Sequence, residues 1–166
     1  MIERIVMHLK RSIARVAVAA GGARALVAAM AMATIAGCVA QPSFSPGPAD
    51  PDAPSEFTQT ESGLKYRILR KSDGDKPTPV DTVTVHYVGW LDDQTEFDSS
   101  YRRGKPTSFA LNQVVPGWTE GLQHVGEGGM IELEIPSHLG YGPQGMPGSI
   151  PPHATLHFKV ELLEIR

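Results

Sequence analysis

The strongest constraint on the fold is a segment near the C-terminus, residues 141–153, that is dominated by glycine and proline. Seven of its thirteen residues are glycine or proline, and it leads directly into an alternating apolar and polar segment, residues 155–162. Proline lacks the amide hydrogen that a helix needs, and glycine permits positive φ, so the segment predicts a shaped loop. Because this loop carries Tyr141 and Ile150, where polar residues are more usual, we interpret it as the rim of an apolar binding pocket.

Alternation of apolar and polar residues predicts the strands of a sheet. The pattern has the period of two residues that a half-buried strand requires. It predicts five strands, at residues 64–69, 81–88, 105–111, 130–135 and 155–165. In the third of these strands we expect Phe109 to point inward.

Residues 116–125 form the one segment of this region that predicts a helix. Pro116 suits a first helical turn, and Gly126 can end the helix. Trp118, Leu122 and Val125 are spaced four and three residues apart, which places them on one face. The fold class that we predict is α+β, an antiparallel sheet of about five strands wrapped around one short helix.

The N-terminal residues 1–37 have the pattern of an export signal. A basic segment ends at Arg24, and residues 25–40 carry no charge. This apolar run of sixteen residues is shorter than the ~20 that a membrane-spanning helix needs. The run contains Ile35-Ala36-Gly37-Cys38, which resembles a bacterial lipoprotein cleavage site and predicts a lipid on Cys38. The alternative is that Cys38 is only a small apolar residue, and the start could be Met1 or Met7.

Composition divides the rest of the chain into a tether and a domain. Residues 41–55 contain five prolines and show no apolar period, so we predict a solvated tether over residues 38–56 and a folded domain over 57–166. Residues 38–166 hold 10 basic and 17 acidic residues, a net charge of −7. Such a charge argues against a nucleic-acid partner, and we interpret the basic group Arg102, Arg103 and Lys105 as part of a solvated loop.

Three further motifs join the late loop in an order that resembles a known family. They are Val85-His86-Tyr87-Val88-Gly89, Phe97-Asp98-Ser99-Ser100 and Val114-Val115-Pro116-Gly117-Trp118. From about Thr58 to Arg166 the sequence resembles the FKBP-type peptidyl-prolyl cis-trans isomerases. The resemblance implies an FKBP-like fold and an enzyme that accelerates rotation about the bond before proline. It departs from well-known members at Thr107, Met146 and Ser149.

Apolar residues from separate elements are expected to form the wall of one proline-binding pocket. We predict catalytic roles for Tyr87, Phe97, Asp98, Trp118, Tyr141 and Phe158, and substrate-binding roles for Phe109, Val114, Val115 and Ile150. The resemblance implies that Asp98 accepts a hydrogen bond from Tyr141 or a neighbouring polar group. It also implies that the Ile150 N–H and the Tyr141 hydroxyl meet the carbonyl groups of the substrate.

The implied reaction breaks no covalent bond, so it requires no nucleophile, metal or cofactor. The histidines do not have the spacing of a metal site. Expected partners are Xaa-Pro segments of unfolded proteins and macrolides such as tacrolimus or rapamycin, bound by a monomer. Val39 after Cys38 favours the outer membrane, facing the periplasm, by resemblance to bacterial lipoproteins. The rival hypothesis is a membrane-tethered chaperone that binds prolyl segments without turnover.

Overall fold

Seven strands form one antiparallel sheet in the computed structural model, which describes residues 45–166. The strands are β1 (Thr58–Gln59), β2 (Lys65–Arg70), β3 (Thr82–Trp90), β4 (Glu96–Ser99), β5 (Thr107–Ala110), β6 (Met130–Ile135) and β7 (Leu156–Ile165). Their order across the sheet is β1-β2-β6-β7-β3-β4, and β5 also pairs with β3.

The central strand β3 shows why the alternating sequence forms this sheet. Val83, Val85 and Tyr87 are buried on one face, while the intervening residues are half-buried on the other. Along its other edge β3 pairs first with β5, from Thr82 to Val85, and then with β4, from Val88 to Trp90. The chain leaves the sheet between these two partners, which creates a loop beside the buried face.

The α+β prediction is confirmed, and the sheet has two strands more than expected. The added strands are β1, which has two residues, and β4, which has four. Neither is long enough to display a hydrophobic period, so an alternation search misses both. The other five strands lie where the sequence predicts them, with ends shifted by at most two residues.

One helix, α1 (Pro116–Gly121), crosses the buried face of the sheet and continues as a 3-10 turn over Leu122–His124. The expected helix at 116–125 is therefore shorter and tighter at its end. A Cβ atom on Gly117 would lie 2.5 Å from Ile135 Cγ2, and one on Gly121 would lie 2.7 Å from Leu133 Cδ2. Glycine lowers helix propensity, but at these two positions it allows α1 to approach β6 closely.

The segment before β1 is hydrogen-bonded to two strands of the sheet. Its Gly47 N–H donates a hydrogen bond to Glu161 Oε1 on β7 at 2.8 Å, and its Asp50 N–H donates to the Leu69 carbonyl on β2 at 2.7 Å. The predicted solvated tether extends to residue 56, but from Gly47 onward this segment makes hydrogen bonds to the domain. Buried acceptors such as Glu161 require donors, and the segment supplies one.

The predicted signal peptide, and Cys38 with its predicted lipid, lie outside the described residues. Within residues 45–166, no helix has the length and apolar character needed to cross a membrane.

Candidate functional site

A cavity of about 450 Å³ opens on the buried face of the sheet, beside α1. Side chains from β3, β4, β5, α1, β7 and two loops converge on it. The lining residues are Tyr87, Phe97, Asp98, Phe109, Gln113, Val114, Val115, Trp118, Tyr141 and Phe158. The structure therefore brings together nine of the ten predicted site residues, all except Ile150.

Trp118 forms the floor of the cavity, where three other rings surround it. Its ring centroid lies 5.3 Å from that of Tyr87, 5.4 Å from Phe109 and 5.2 Å from Phe158. All three contacts are nearly perpendicular, which is a favourable geometry for aromatic pairs. Trp118 is the first residue of the apolar face of α1, so the helix holds its indole ring at the bottom of the cavity.

Phe97 and Phe158 form one wall, and a glycine makes room for them. Their ring centroids are 5.4 Å apart at an interplanar angle of 90°. A Cβ atom on Gly89 would lie 2.6 Å from Phe158 Cε1 and 2.7 Å from Phe97 Cζ. Gly89 pairs with Asp98 on β4 and with Phe158 on β7, so the absence of a side chain leaves space for both rings.

The polar corner of the cavity is a network of three residues. The Tyr87 hydroxyl donates a hydrogen bond to Asp98 Oδ2, and Arg103 Nη1 donates to Asp98 Oδ1. Arg103 Nη2 also donates to the Tyr87 hydroxyl at 2.8 Å. The network holds one carboxylate, one phenol and one guanidinium in a fixed arrangement at the edge of an apolar cavity.

Opposing effects set the ionisation of this network. Burial by itself would raise the pKa of Asp98, but the hydrogen bonds from Tyr87 and Arg103 outweigh it and lower that pKa below its ordinary value. Burial, followed by the bond to Asp98, raises the pKa of Tyr87 to about 12. At neutral pH Asp98 is therefore ionised and Tyr87 is protonated.

Of two expectations about hydrogen bonding, one is met through its second alternative and the other is wrong. Asp98 accepts its bonds from neighbouring polar groups, Tyr87 and Arg103, and not from Tyr141. The Ile150 N–H donates to the Met146 carbonyl at 2.9 Å, because residues 146–150 close a tight turn, so it is not free for a substrate. The Ile150 side chain is 4% exposed and packs in the core instead of lining the cavity.

Several other donors at the cavity make no hydrogen bond within the described part of the chain. They include the Val115 N–H, just before α1, the Tyr141 hydroxyl and the buried Trp118 Nε1–H. Tyr141 is 37% exposed at the cavity rim. Burial, with a smaller effect of the Asp98 charge, raises its pKa above the ordinary value, so the hydroxyl keeps its proton at neutral pH.

Sequence reasoning missed Arg103 and Gln113. Arg103 was interpreted as part of a solvated loop, yet it bonds to two cavity residues. A signal existed, because a carboxylate placed among aromatic residues requires a cationic or hydrogen-bonding partner. Gln113 ends a short 3-10 turn before α1, and nothing in its sequence context distinguishes it.

Among residues 45–166, no group of three or more His, Cys, Asp or Glu side chains could hold a metal ion.

Comparison with known proteins places this chain in a family. A model described as FKBP-type peptidyl-prolyl cis-trans isomerase matches residues 74–163. The FkpA isomerase of Escherichia coli K12 is 50% identical over 107 residues, which cover 64% of this chain and 39% of that protein. The 22 kDa FKBP-type isomerase of the same strain is 51% identical over 106 residues, covering 64% of this chain and 52% of that protein.

Solved structures agree with the sequence comparisons. The crystal structure of E. coli FkpA superposes with a TM-score of 0.66 at 47% identity, covering 68% of this chain and 53% of that one. A peptidyl-prolyl cis-trans isomerase from Pseudomonas syringae pv. tomato gives 0.63 at 34% identity, covering 68% and 82%. The chain matches only 39% of the length of E. coli FkpA. It belongs to the FKBP-type peptidyl-prolyl cis-trans isomerase family.

Proposed function

We propose that this protein accelerates rotation about Xaa-Pro bonds in exported or cell-envelope proteins. The observation that carries the proposal is the cavity itself, where the Trp118 indole lies under an opening lined by aromatic and aliphatic side chains. Concave apolar sites with a few polar groups are typical of small-ligand pockets. A prolyl ring resting on Trp118 would meet the edges of Tyr87, Phe97 and Phe158.

The proposed mechanism uses polarity rather than proton transfer. The amide barrier is ~18–20 kcal/mol because resonance gives the C–N bond partial double-bond character. Twisting removes that resonance and its charge separation, so an apolar site favours the twisted amide over the planar amide, which water stabilises better. In this mechanism the Tyr141 hydroxyl and the Val115 N–H bind substrate carbonyl groups, and Val115 takes the role expected of Ile150. The support is that both residues line the cavity and neither donor has a hydrogen-bond partner within residues 45–166.

The polar network would keep the cavity in one shape during turnover. Asp98, Tyr87 and Arg103 satisfy one another, so none of them needs the substrate as a partner. A fixed dipole at the cavity edge costs no reorganisation when the amide twists. Asp98 therefore orients and polarises, with its carboxylate ionised throughout.

An isomerisation assay on a short Xaa-Pro peptide tests this proposal. We expect acceleration by the wild type and slower turnover in Asp98→Ala and Phe158→Leu, with near-wild-type circular dichroism. Leucine is preferred to alanine at Phe158, since truncating a buried phenylalanine costs about 3–5 kcal/mol of stability. Measurable peptide affinity with no acceleration would support the rival hypothesis, a prolyl-binding chaperone without turnover.

Macrolides of the tacrolimus and rapamycin type would enter the same cavity. We expect tacrolimus to compete with the peptide substrate and to quench Trp118 fluorescence, because the indole forms the cavity floor. Phe158→Leu should weaken both effects together. Inhibition that Phe158→Leu does not change would place the macrolide elsewhere.

The location that we propose is the bacterial cell envelope, through a lipid on Cys38, with the outer membrane facing the periplasm favoured. The support is the apolar segment that contains Ile35-Ala36-Gly37-Cys38 and the Val39 that follows. Mass spectrometry of the protein purified from membranes should show cleavage before Cys38 and an added acyl mass. Cys38→Ser should move the protein to the soluble fraction, and a monomer is expected by sedimentation.

A further inference from the structure

A shallow groove leaves the proline cavity and runs along the outer side of α1. Its first part, about 420 Å³, is lined by Val114, Thr119, Glu120 and Gln123 among others, and Val114 also lines the proline cavity. Its second part, about 550 Å³, shares Glu120 and Gln123 and adds Glu61 and neighbouring residues. The two parts, called here the flanking groove, therefore adjoin each other and the proline cavity.

Two carboxylates give the flanking groove its charge. Glu120 is half-buried, and both its carboxylate oxygens lie within hydrogen-bonding distance of the Ser62 hydroxyl, at 2.9 and 2.7 Å. Glu61 is exposed on the opposite lip. Within residues 45–166 neither carboxylate makes an ion pair. Glu120 is thus held in place while its charge stays available to a ligand.

The other titratable groups here do not cancel this charge. The His124 ring stacks on Tyr66 with centroids 4.1 Å apart, and burial lowers the pKa of His124 below its ordinary value. His124 is therefore neutral at physiological pH. Lys76 is the cation that acts on His124, and it is an exposed side chain that does not line the groove.

We propose that the flanking groove binds the same polypeptide whose proline occupies the cavity, and that it selects lysine or arginine several residues from that proline. This inference rests on the proposed function. Helix α1 and the turn after it contain six and three residues. They span roughly 15 Å, which an extended peptide covers in about four or five residues.

Charge complementarity supports this occupant. The described domain belongs to a chain segment with a net charge of −7, so cationic segments are attracted at long range. A groove with protein walls concentrates that field near Glu61 and Glu120. Because Val114 borders both the proline cavity and the flanking groove, one extended peptide on this surface can contact both sites.

Peptides of matched length with a single proline test the inference. Two lysines are placed four and five residues before the proline in one peptide and after it in another, with alanines in the reference peptide. We expect one lysine peptide to show a kcat/KM roughly three- to tenfold above the alanine peptide, as two ion pairs that solvent partly screens would give. The gain should disappear in Glu61→Gln/Glu120→Gln and at high salt, while turnover of the alanine peptide stays unchanged.

A second double variant separates the groove from overall charge. Glu56→Gln/Glu164→Gln removes two carboxylates that do not line the flanking groove, and it should keep the lysine preference. The inference would be overturned if both double variants lost the lysine preference equally. It would also be overturned if neither lysine peptide had an advantage over the alanine peptide in the wild type. Failure to accelerate even the alanine peptide would instead contradict the proposed isomerase function. Amide shifts of Thr119 and Gln123, present with the favoured lysine peptide and absent with the alanine peptide, provide an independent measurement.

Discussion

Arg103 donates hydrogen bonds to both the Asp98 carboxylate and the Tyr87 hydroxyl, and so joins the loop after β4 to the wall of the proline cavity. Its guanidinium also lies over the Tyr87 ring, with Cζ 5.4 Å from the centroid. The side chain of Asp98 is 39% exposed, so solvent screens the ion pair and positioning is its main contribution.

Removing Arg103 should impair turnover more than folding. In Arg103→Ala the Asp98 carboxylate loses its cation and the Tyr87 hydroxyl loses a donor, so the cavity edge is less well fixed. We expect kcat/KM for an Xaa-Pro peptide to fall about three- to tenfold, the equivalent of roughly 1 kcal/mol. Arg102→Ala is the matched control, because Arg102 pairs with Glu96 at 3.0 Å and does not line the cavity. Equal effects of the two substitutions would contradict this role.

The same network predicts the pH dependence of activity and stability. In the folded protein the pKa of Asp98 lies below the ordinary value of 3.8. The stability that the ionised carboxylate contributes is therefore present above pH 3.8 and is lost as the pH falls through the lower pKa of the folded state. Tyr87, with a pKa of about 12, stays protonated up to strongly alkaline pH. Turnover should therefore be flat from about pH 5 to 9, once the uncatalysed rate is subtracted.

Carboxyl carbon NMR tests the cause of the Asp98 pKa. Arg103→Ala should raise the pKa of Asp98, because burial is then opposed by fewer hydrogen bonds. The pKa of Asp93 is lowered by the backbone of Thr95 and should not change in this variant. An unchanged Asp98 titration would show that Arg103 does not hold the carboxylate ionised.

Much of this site follows from the sequence because its apolar residues lie in strongly patterned segments. Tyr87 and Phe158 belong to alternating strands, and Trp118 belongs to the apolar face of helix α1. Ile150 was misassigned because a glycine- and proline-rich loop can bury its own apolar residue, and only the three-dimensional path of the loop shows that. Arg103 was missed for a related reason, since its partners are 5 and 16 residues away.

Gly89 offers a test of the cavity wall. In Gly89→Ala the added methyl group would lie 2.6 Å from Phe158 Cε1, so the rings of Phe158 and Phe97 must shift. Such overpacking costs about 1–3 kcal/mol. We expect peptide affinity to fall roughly tenfold while the sheet persists. Thr84→Ala, on the opposite face of β3, is the control and should leave peptide affinity unchanged. Wild-type peptide affinity in Gly89→Ala would show that Phe97 and Phe158 can move aside without altering the binding site.

The segment from Ser45 to Phe57 shows a limit of composition as a guide. Its prolines and lack of period predict a free tether, yet proline-rich chain can dock through its backbone. Arg67 reaches the Ser55 carbonyl at 2.7 Å and lies over the Phe57 ring. These contacts pair groups that are far apart in sequence, so local pattern does not reveal them.

Truncation of this segment should therefore lower stability without removing the active cavity. A chain that begins at Glu56 lacks the Gly47 N–H that bonds Glu161 and the Asp50 N–H that bonds Leu69. Glu161 is 8% exposed, so losing a donor leaves a buried carboxylate short of a partner. Compared with a chain that begins at Ser45, we expect Tm to fall by about 5–10 °C, the equivalent of roughly 1–2 kcal/mol. Glu161→Gln in the longer chain should reproduce part of that fall, because an amide oxygen accepts the Gly47 bond more weakly than a carboxylate does and Arg70 loses its ion pair. Identical Tm values for the two chains would mean that the segment behaves in solution as the free tether that its composition predicts.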